Sequence, residues 1–199
     1  MRNGIPHNLG IKCFYLDMDG VLCNCTKALL AVHDRMDLLD NTPTNNLTTT
    51  LGLSIEDAWG PVVAAGWEFW EDIEPYPWMT ELWTWAQDRG TVHILTSPTI
   101  HPVFEGKDTG YCVRGKIAWV QKHFGLQFND ITFTQHKHVV SAPGVILIDD
   151  TDDYEASFNQ HGGRQIVFPQ SYNRCWADKF DPMRSVEAQY RQLKRENHA

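Results

Sequence analysis

The chain has 199 residues, of which 42% are hydrophobic and 21% are charged, and its net charge is −8. This length is enough for one sizeable α/β domain with an insertion and too short for two domains of full size. The negative charge argues against a protein that tracks along DNA or RNA, because such proteins carry basic surfaces; it still allows one nucleotide in a local cationic pocket.

No apolar run in the sequence approaches the ~18 residues that a membrane-crossing helix requires. Residues 1–6 lack the apolar core of a secretion signal. The five cysteines are an odd number and show no disulfide framework. We therefore expect a cytoplasmic protein with no membrane partner.

Five short apolar runs predict β-strands, at residues 11–16, 91–95, 131–133, 145–148 and 165–168. Each run is nearly continuous in apolar character, which is typical of strands buried on both faces. Helical stretches lie between the runs, including residues 26–39, 80–88 and 115–124. Strands that alternate with helices predict an α/β fold with a Rossmann-like parallel sheet flanked by helices.

A segment of about seventy residues separates the first two predicted strands, far more than a simple crossover needs. It contains turn-rich patches at residues 40–50 and 74–77, around helical stretches. We interpret this segment as a small helical cap inserted after the first strand. The predicted division is a core of residues 1–24 and 76–199 and a cap of residues 25–75.

Polar side chains follow four of the predicted strands, at the edge where a parallel sheet presents its ligands. The strands are followed in turn by Asp17-Met18-Asp19-Gly20, by Thr96-Ser97, by Lys137 and by Asp149-Asp150. Because the carboxyl ends of parallel strands share one edge, we expect these groups to converge.

Carboxylates at such an edge suit phosphoryl transfer. A phosphate ester repels an anionic nucleophile, so a cation must screen the repulsion. Mg²⁺ prefers carboxylate, phosphate and water oxygens as ligands. Asp17 and the pair Asp149-Asp150 can supply such oxygens.

The remaining groups of the set have complementary roles in the same chemistry. Lys137 adds positive charge, and Thr96 and Ser97 can donate hydrogen bonds to phosphate oxygens. Asp19 can protonate the leaving oxygen and later activate water.

The order of these motifs resembles that of the haloacid dehalogenase superfamily. Residues 116–125 (KIAWVQKHFG), 95–98 (LTSP), 137–142 (KHVVSA) and 147–150 (LIDD) further resemble the 5'(3')-deoxyribonucleotidases. The resemblance covers roughly residues 11–22 and 91–153 and fades in the cap.

The resemblance implies a phosphatase that forms a phosphoaspartyl enzyme and then hydrolyses it. Carried over, Asp17 is the nucleophile and Asp19 is the acid/base, with the Asp19 main-chain carbonyl also on Mg²⁺. Thr96 and Lys137 would hold the phosphate. Asp150 is favoured as the third metal ligand, with Asp149 beside it.

Three positions depart from the family pattern. Thr151 stands where the family usually has arginine after the Asp-Asp pair, and Gln135 stands where arginine tends to precede the phosphate lysine. Cys25 replaces an aromatic residue eight positions after the nucleophile. These departures leave the phosphoryl chemistry in place and concern the choice of base and sugar.

Two alternatives remain open at this stage. Spacing alone does not choose Lys137 over the rivals Lys107, Lys116 and Lys122; alignment with the family favours Lys137. The stretches Cys23-Asn24-Cys25 and His136-Lys137-His138 suggest zinc, but their spacing fits no closed four-ligand pattern.

Six of the eight tryptophans fall within the predicted cap or just after it. Packing explains those at helical spacing, such as Trp78 and Trp85. Aromatic faces also stack on nucleobases, and Trp67, Phe69 and Trp70 are the candidates for a base slot.

The leading hypothesis is a Mg²⁺-dependent 5'-nucleotidase acting on (deoxy)nucleoside monophosphates. The alternatives are a phosphatase for a sugar phosphate, a 3'-phosphate or another small phosphorylated metabolite, or a non-catalytic protein that binds a phosphorylated ligand. We expect a small phosphomonoester as partner and no polymeric nucleic acid. The oligomeric state stays open, and a homodimer is compatible with the sequence.

Overall fold

The computed structural model describes residues 10–99 and 110–196 and contains a five-stranded parallel sheet of order β3-β2-β1-β4-β5. The strands are β1 (Cys13–Leu16), β2 (Thr91–Thr96), β3 (Ile131–Phe133), β4 (Val145–Asp149) and β5 (Arg164–Val167). In the centre, Leu16 pairs with Ile94 and Ile148, and all three side chains are fully buried. The sequence prediction of five parallel strands is confirmed.

Eight α-helices are assigned within the described residues. They are α1 (Cys25–Val32), α2 (Leu47–Leu51), α3 (Ile55–Ala65), α4 (Trp67–Glu71), α5 (Met79–Gln87), α6 (Tyr111–Phe124), α7 (Tyr154–Gln160) and α8 (Pro182–Glu196). Five of them, α1 to α5, lie between β1 and β2; α1 to α4 fall within the predicted cap of residues 25–75, and α5 falls after it. Each helix of the described part is too short or too polar to cross a bilayer.

The first helix is shorter than the sequence predicts. The prediction extends it over residues 26–39, but α1 ends at Val32 and a separate 3₁₀ helix runs over Met36–Asn41. Between them Asp34 adopts a φ of 54°, a left-handed conformation that cannot continue a right-handed helix. The chain therefore turns at Asp34, where the prediction has a continuous helix.

The C-terminal helix α8 has no counterpart in the sequence prediction. It buries Val186 and Tyr190, four residues apart, against the sheet. Its Gln189 side chain accepts a hydrogen bond from the Val167 N–H at 3.0 Å and donates one to the Val167 carbonyl at 2.8 Å. The helix thereby satisfies backbone groups of the edge strand β5 that would otherwise be open to pairing.

Helices α4 and α6 pack in close contact through Gly115. A Cβ atom at Gly115 would overlap the carbonyl oxygen of Trp67, so a larger residue would separate the two helices. One turn further along α6, the Trp119 indole donates a hydrogen bond to the Ile73 carbonyl at 2.7 Å. These contacts fix α6, and with it Lys116, against the segment that separates β1 from β2.

Candidate active site

The turn after β1 carries Asp17 and Asp19 to the edge of the sheet. The Asp17 N–H donates to the Ile148 carbonyl of β4 at 2.9 Å, which fixes the start of the turn. Gly20 has a φ of 77°, and a Cβ atom there would overlap Oδ2 of Asp150. Glycine at this position therefore lets two distant strand ends approach each other.

Lys137 joins two of the carboxylates. Its Nζ atom lies 2.8 Å from Oδ2 of Asp17 and 2.6 Å from Oδ2 of Asp149, and the lysine is 2% exposed. The second oxygen of Asp149 accepts a hydrogen bond from the Thr151 N–H at 2.9 Å. Both carboxylate oxygens of Asp149 are thus engaged by the protein.

Asp150 has a different environment. It accepts a hydrogen bond from the Tyr172 hydroxyl, and it forms no ion pair within the described ranges. Burial raises the pKa of Asp150 well above its usual range, with Asp149 and Asp17 adding to the effect. Burial likewise raises the pKa of Asp17 to about 7, although Lys137 opposes the shift.

The donor set fits a divalent cation. Oxygen atoms of Asp17, Asp149 and Asp150 lie within 4.8 Å of one another, and all three residues are buried. One lysine does not balance three buried carboxylates, so an added cation would offset the repulsion among them, which adds to burial in raising the pKa values of Asp17 and Asp150. Clustered carboxylate oxygens are the ligands that Mg²⁺ prefers.

Asp19 lies on the opposite side of the turn and pairs with a different lysine. Nζ of Lys116 is 2.6 Å from Asp19 Oδ2, 2.8 Å from Thr96 Oγ1 and 2.8 Å from the Ser97 carbonyl. Lys116 is fully buried, whereas the Asp19 side chain is 28% exposed. The two lysines that compete in the sequence prediction therefore bind different carboxylates.

A cavity of about 190 Å³ opens at this edge of the sheet. Five of the residues predicted for catalysis, phosphate binding or metal binding line it: Asp17, Asp19, Ser97, Lys137 and Asp150. Thr96 and Asp149 lie behind this surface, since both are fully buried and neither belongs to the described lining. Asp149 contacts Lys137, which lines the cavity, and Thr96 contacts Lys116, which in turn pairs with Asp19 of the lining.

Two tryptophans line the same cavity, Trp59 and Trp70. Of the three aromatic residues proposed for a base slot, only Trp70 is among the described residues of the lining. Trp67 instead lies under the Arg114 guanidinium, 4.3 Å from the ring centroid, and Phe69 packs edge-on against Trp70 at 5.2 Å. The side chains of α4 diverge around the helix, so proximity in sequence did not place all three on one face.

Cys23 lies in the turn after Asp19, and Cys25 is the first residue of α1. Both are buried, and Cys25 lines the cavity. Burial raises the pKa of both thiols well above their usual value, which keeps them protonated at neutral pH.

The family model described as "5' nucleotidase, deoxy (Pyrimidine), cytosolic type C protein" matches residues 11–189. The chain belongs to this nucleotidase family. It is 35% identical over 109 residues to mitochondrial 5'(3')-deoxyribonucleotidase of Mus musculus, an alignment covering 53% of the chain and 46% of that protein. The protein of the same description from Homo sapiens is 35% identical over 132 residues, covering 56% of the chain and 53% of the relative. The chain spans about half the length of the curated relatives it matches.

Solved structures share the fold at low sequence identity. A haloacid dehalogenase-like hydrolase from Streptococcus pneumoniae superposes with a TM-score of 0.54 at 13% identity, covering 86% of the chain and 90% of that structure. A phosphonoacetaldehyde hydrolase-like protein from Oleispira antarctica gives 0.52 at 11% identity, covering 100% and 90%. The haloacid dehalogenase fold predicted from the motifs is confirmed.

The cavity lining includes residues that were not assigned from the sequence, among them Tyr172, Trp59 and Asn45. Tyr172 lies in the loop of residues 169–173, and its hydroxyl donates a hydrogen bond to Asp150. Asn45 donates a hydrogen bond to Thr151 Oγ1 at 3.2 Å across the cavity.

Proposed function

We propose that the protein is a Mg²⁺-dependent phosphomonoesterase that hydrolyses (deoxy)nucleoside 5'-monophosphates through a phosphoaspartyl intermediate. The observation that carries the proposal is the placement of Asp17 at the base of the cavity, paired with Lys137 and grouped with Asp150. Family membership over residues 11–189 supports the same reaction class.

The residues of the chain divide the chemistry between them. A carboxylate oxygen of Asp17 attacks phosphorus, and the ester P–O bond breaks while Asp19 gives a proton to the leaving oxygen. Asp19 then takes a proton from water, which attacks phosphorus, releases phosphate and restores Asp17. Lys137 and Ser97 line the space beside Asp17 and would bind the phosphate oxygens.

The metal would be held by Asp17, Asp150 and the main-chain carbonyl of Asp19. Asp150 is preferred to Asp149 because both oxygens of Asp149 already bind Lys137 and the Thr151 N–H. A bound Mg²⁺ would screen the repulsion between Asp17 and the phosphate and favour the ionised nucleophile.

The composition of the cavity favours a neutral leaving group with an aromatic face. Lys137 is the single cationic side chain among the described lining residues, and three carboxylates accompany it. The remainder of the wall includes Trp59, Trp70, Asn45 and Thr151. A second phosphate on the substrate would find no further cationic partner among those described residues, whereas a nucleobase could stack on the partly exposed Trp59 indole for roughly 1–3 kcal/mol.

The 3'-phosphate is the second candidate, because the curated relatives are named 5'(3')-deoxyribonucleotidases.

A phosphate-release assay tests the proposal. Purified protein is incubated with 5'- and 3'-mononucleotides, a sugar monophosphate and a sugar bisphosphate, each with Mg²⁺ and with EDTA. Mg²⁺-dependent release from mononucleotides, abolished by Asp17→Asn, supports the proposal. Phosphate release from sugar phosphates alone would overturn the assignment of a nucleotide substrate. Binding of these compounds without phosphate release from any of them would indicate a non-catalytic protein.

A further inference from the structure

Lys116 is a buried cation that contacts the catalytic turn from outside the cavity. It is fully buried, it does not belong to the described lining of the cavity, and its Nζ contacts Asp19, Thr96 and the Ser97 carbonyl. Because Lys116 lies outside this lining, it is not placed to bind the phosphate, a role that spacing in the sequence leaves open for it.

An ammonium group in the protein interior is costly unless each of its protons has a partner. The three contacts of Lys116, all between 2.6 and 2.8 Å, match the three protons of the ammonium. Burial opposes the charge, yet Asp19 and the other neighbours raise the pKa of Lys116 above its usual value.

The surroundings of Lys116 hold its ammonium in one place. Helix α6 is fixed against α4 by the close contact at Gly115, directly before Lys116. The Trp70 ring lies on another side, with its centroid 5.1 Å from Nζ. A lysine restrained in this way can restrain its partner, and Oδ2 of Asp19 is that partner at 2.6 Å.

We propose that Lys116 is a positioning residue that holds the Asp19 carboxyl group in the orientation required for proton transfer to the leaving oxygen. The proposal rests on the acid/base role of Asp19 in the proposed function. Lys116 acts through Asp19 and does not touch the phosphate.

This role makes the effect of Lys116 depend on the leaving group. A nucleoside leaves as an alkoxide and requires a proton, whereas p-nitrophenolate leaves without one. Loss of Lys116 should therefore impair nucleotide cleavage more than cleavage of p-nitrophenyl phosphate. A lysine that bound phosphate, or one that only stabilised the fold, would affect both substrates equally.

The test compares kcat/KM for a nucleoside monophosphate and for p-nitrophenyl phosphate, because kcat/KM reports the steps up to departure of the leaving group. General acid catalysis contributes typically 10²–10⁴-fold. We expect Lys116→Met to lower the nucleotide value on the order of 100-fold and the p-nitrophenyl phosphate value less than about fivefold. Equal losses on both substrates would overturn the proposal.

Both substrates are assayed on one preparation, so their ratio does not depend on the folded fraction. If Lys116→Met does not fold, Lys116→Gln provides the same comparison. Lys122→Met is the matched control, since Lys122 lies on the same helix in an exposed ion pair with Asp72, and it should leave both values unchanged. An unchanged ratio in the Lys116 variants contradicts the proposal.

A double variant tests whether Lys116 affects nucleotide cleavage through Asp19 or through another group. In the Asp19→Asn background, Lys116→Met should lower the nucleotide kcat/KM by less than about threefold, because the group it positions has been removed. A full additional loss would show that Lys116 acts elsewhere. If the wild-type protein cleaves neither substrate, the proposed function itself fails, which is a distinct result.

Discussion

Nζ of Lys137 lies 2.8 Å from Oδ2 of Asp17, although 120 positions separate the two residues. Asp149 binds the same ammonium at 2.6 Å, and Asp150 stands beside them without an ion pair of its own among residues 10–99 and 110–196. The buried cluster therefore has more negative than positive charge, and this imbalance governs both its stability and its affinity for cations.

Removal of the shared lysine should destabilise the fold. Lys137→Met leaves Asp17 and Asp149 buried without their cation, and breaking a buried pair costs about 3–5 kcal/mol. Urea unfolding at neutral pH in EDTA measures the change. Lys27→Met is the control, because Lys27 pairs with Glu74 at the surface, where an ion pair contributes about 0–1 kcal/mol. Equal losses in the two variants would contradict the prediction.

Magnesium should stabilise the protein more at neutral than at acidic pH. Burial raises the pKa of Asp17 from 3.8 to about 7, so between these values the folded chain holds a proton that the unfolded chain has lost. This group therefore makes the free energy of unfolding decrease as pH rises through that window. Mg²⁺ competes with the proton, so its effect grows over the same window.

The measurement is the increase in Tm on adding Mg²⁺ to EDTA-treated protein, taken near pH 5 and near pH 7.5. We expect a small increase at the lower pH and a larger one at the higher pH. Asp150→Asn should reduce the increase at both, because it removes a carboxylate of the cluster. A Tm increase that is the same at both pH values would contradict the assignment.

Gly20→Ala should lower metal-dependent activity. The new Cβ would overlap Oδ2 of Asp150 and would also sit at a φ of 77°, so the turn or the carboxylate must move, at about 1–3 kcal/mol. Gly52→Ala is the matched control, because Gly52 has a φ of 65° with no atom within 4 Å of the added Cβ. Phosphate release with Mg²⁺ should fall at least about tenfold for Gly20→Ala and stay unchanged for Gly52→Ala.

The hydrogen bond from Asn45 to Thr151 should contribute to substrate binding. It joins the segment between β1 and β2 to the core across the cavity, at 3.2 Å. Thr151→Val removes the acceptor with little change of shape, and a neutral hydrogen bond contributes about 1 kcal/mol, so the nucleotide KM should rise about fivefold with kcat unchanged. Thr151→Ser keeps the hydroxyl and should retain the wild-type KM; the same KM in both variants would contradict this role.

The location of the site could be predicted from the sequence because its residues follow the predicted strands. Asp17, Ser97, Lys137 and Asp150 each follow an apolar run, and parallel strands bring their carboxyl ends to one edge. The cavity lining confirms that these four side chains meet, whereas their catalytic roles remain predictions. The residues of the base slot were harder to predict from the sequence. The directions of the Trp67 and Phe69 side chains depend on the rotation of a five-residue helix and on its packing against α6.

The chain by itself determined the strand pattern, the family and the set of side chains at the sheet edge, since these follow from local apolar runs and motif order. Only the tertiary structure decided which lysine serves which carboxylate, and that Thr96 and Asp149 lie behind the cavity surface. Lys116 and Lys137 have equal charge and reach, so spacing does not distinguish them, and in the sequence only the resemblance to the family favours Lys137. Their assignment depends on how α6 packs against α4, a contact between segments far apart in the chain.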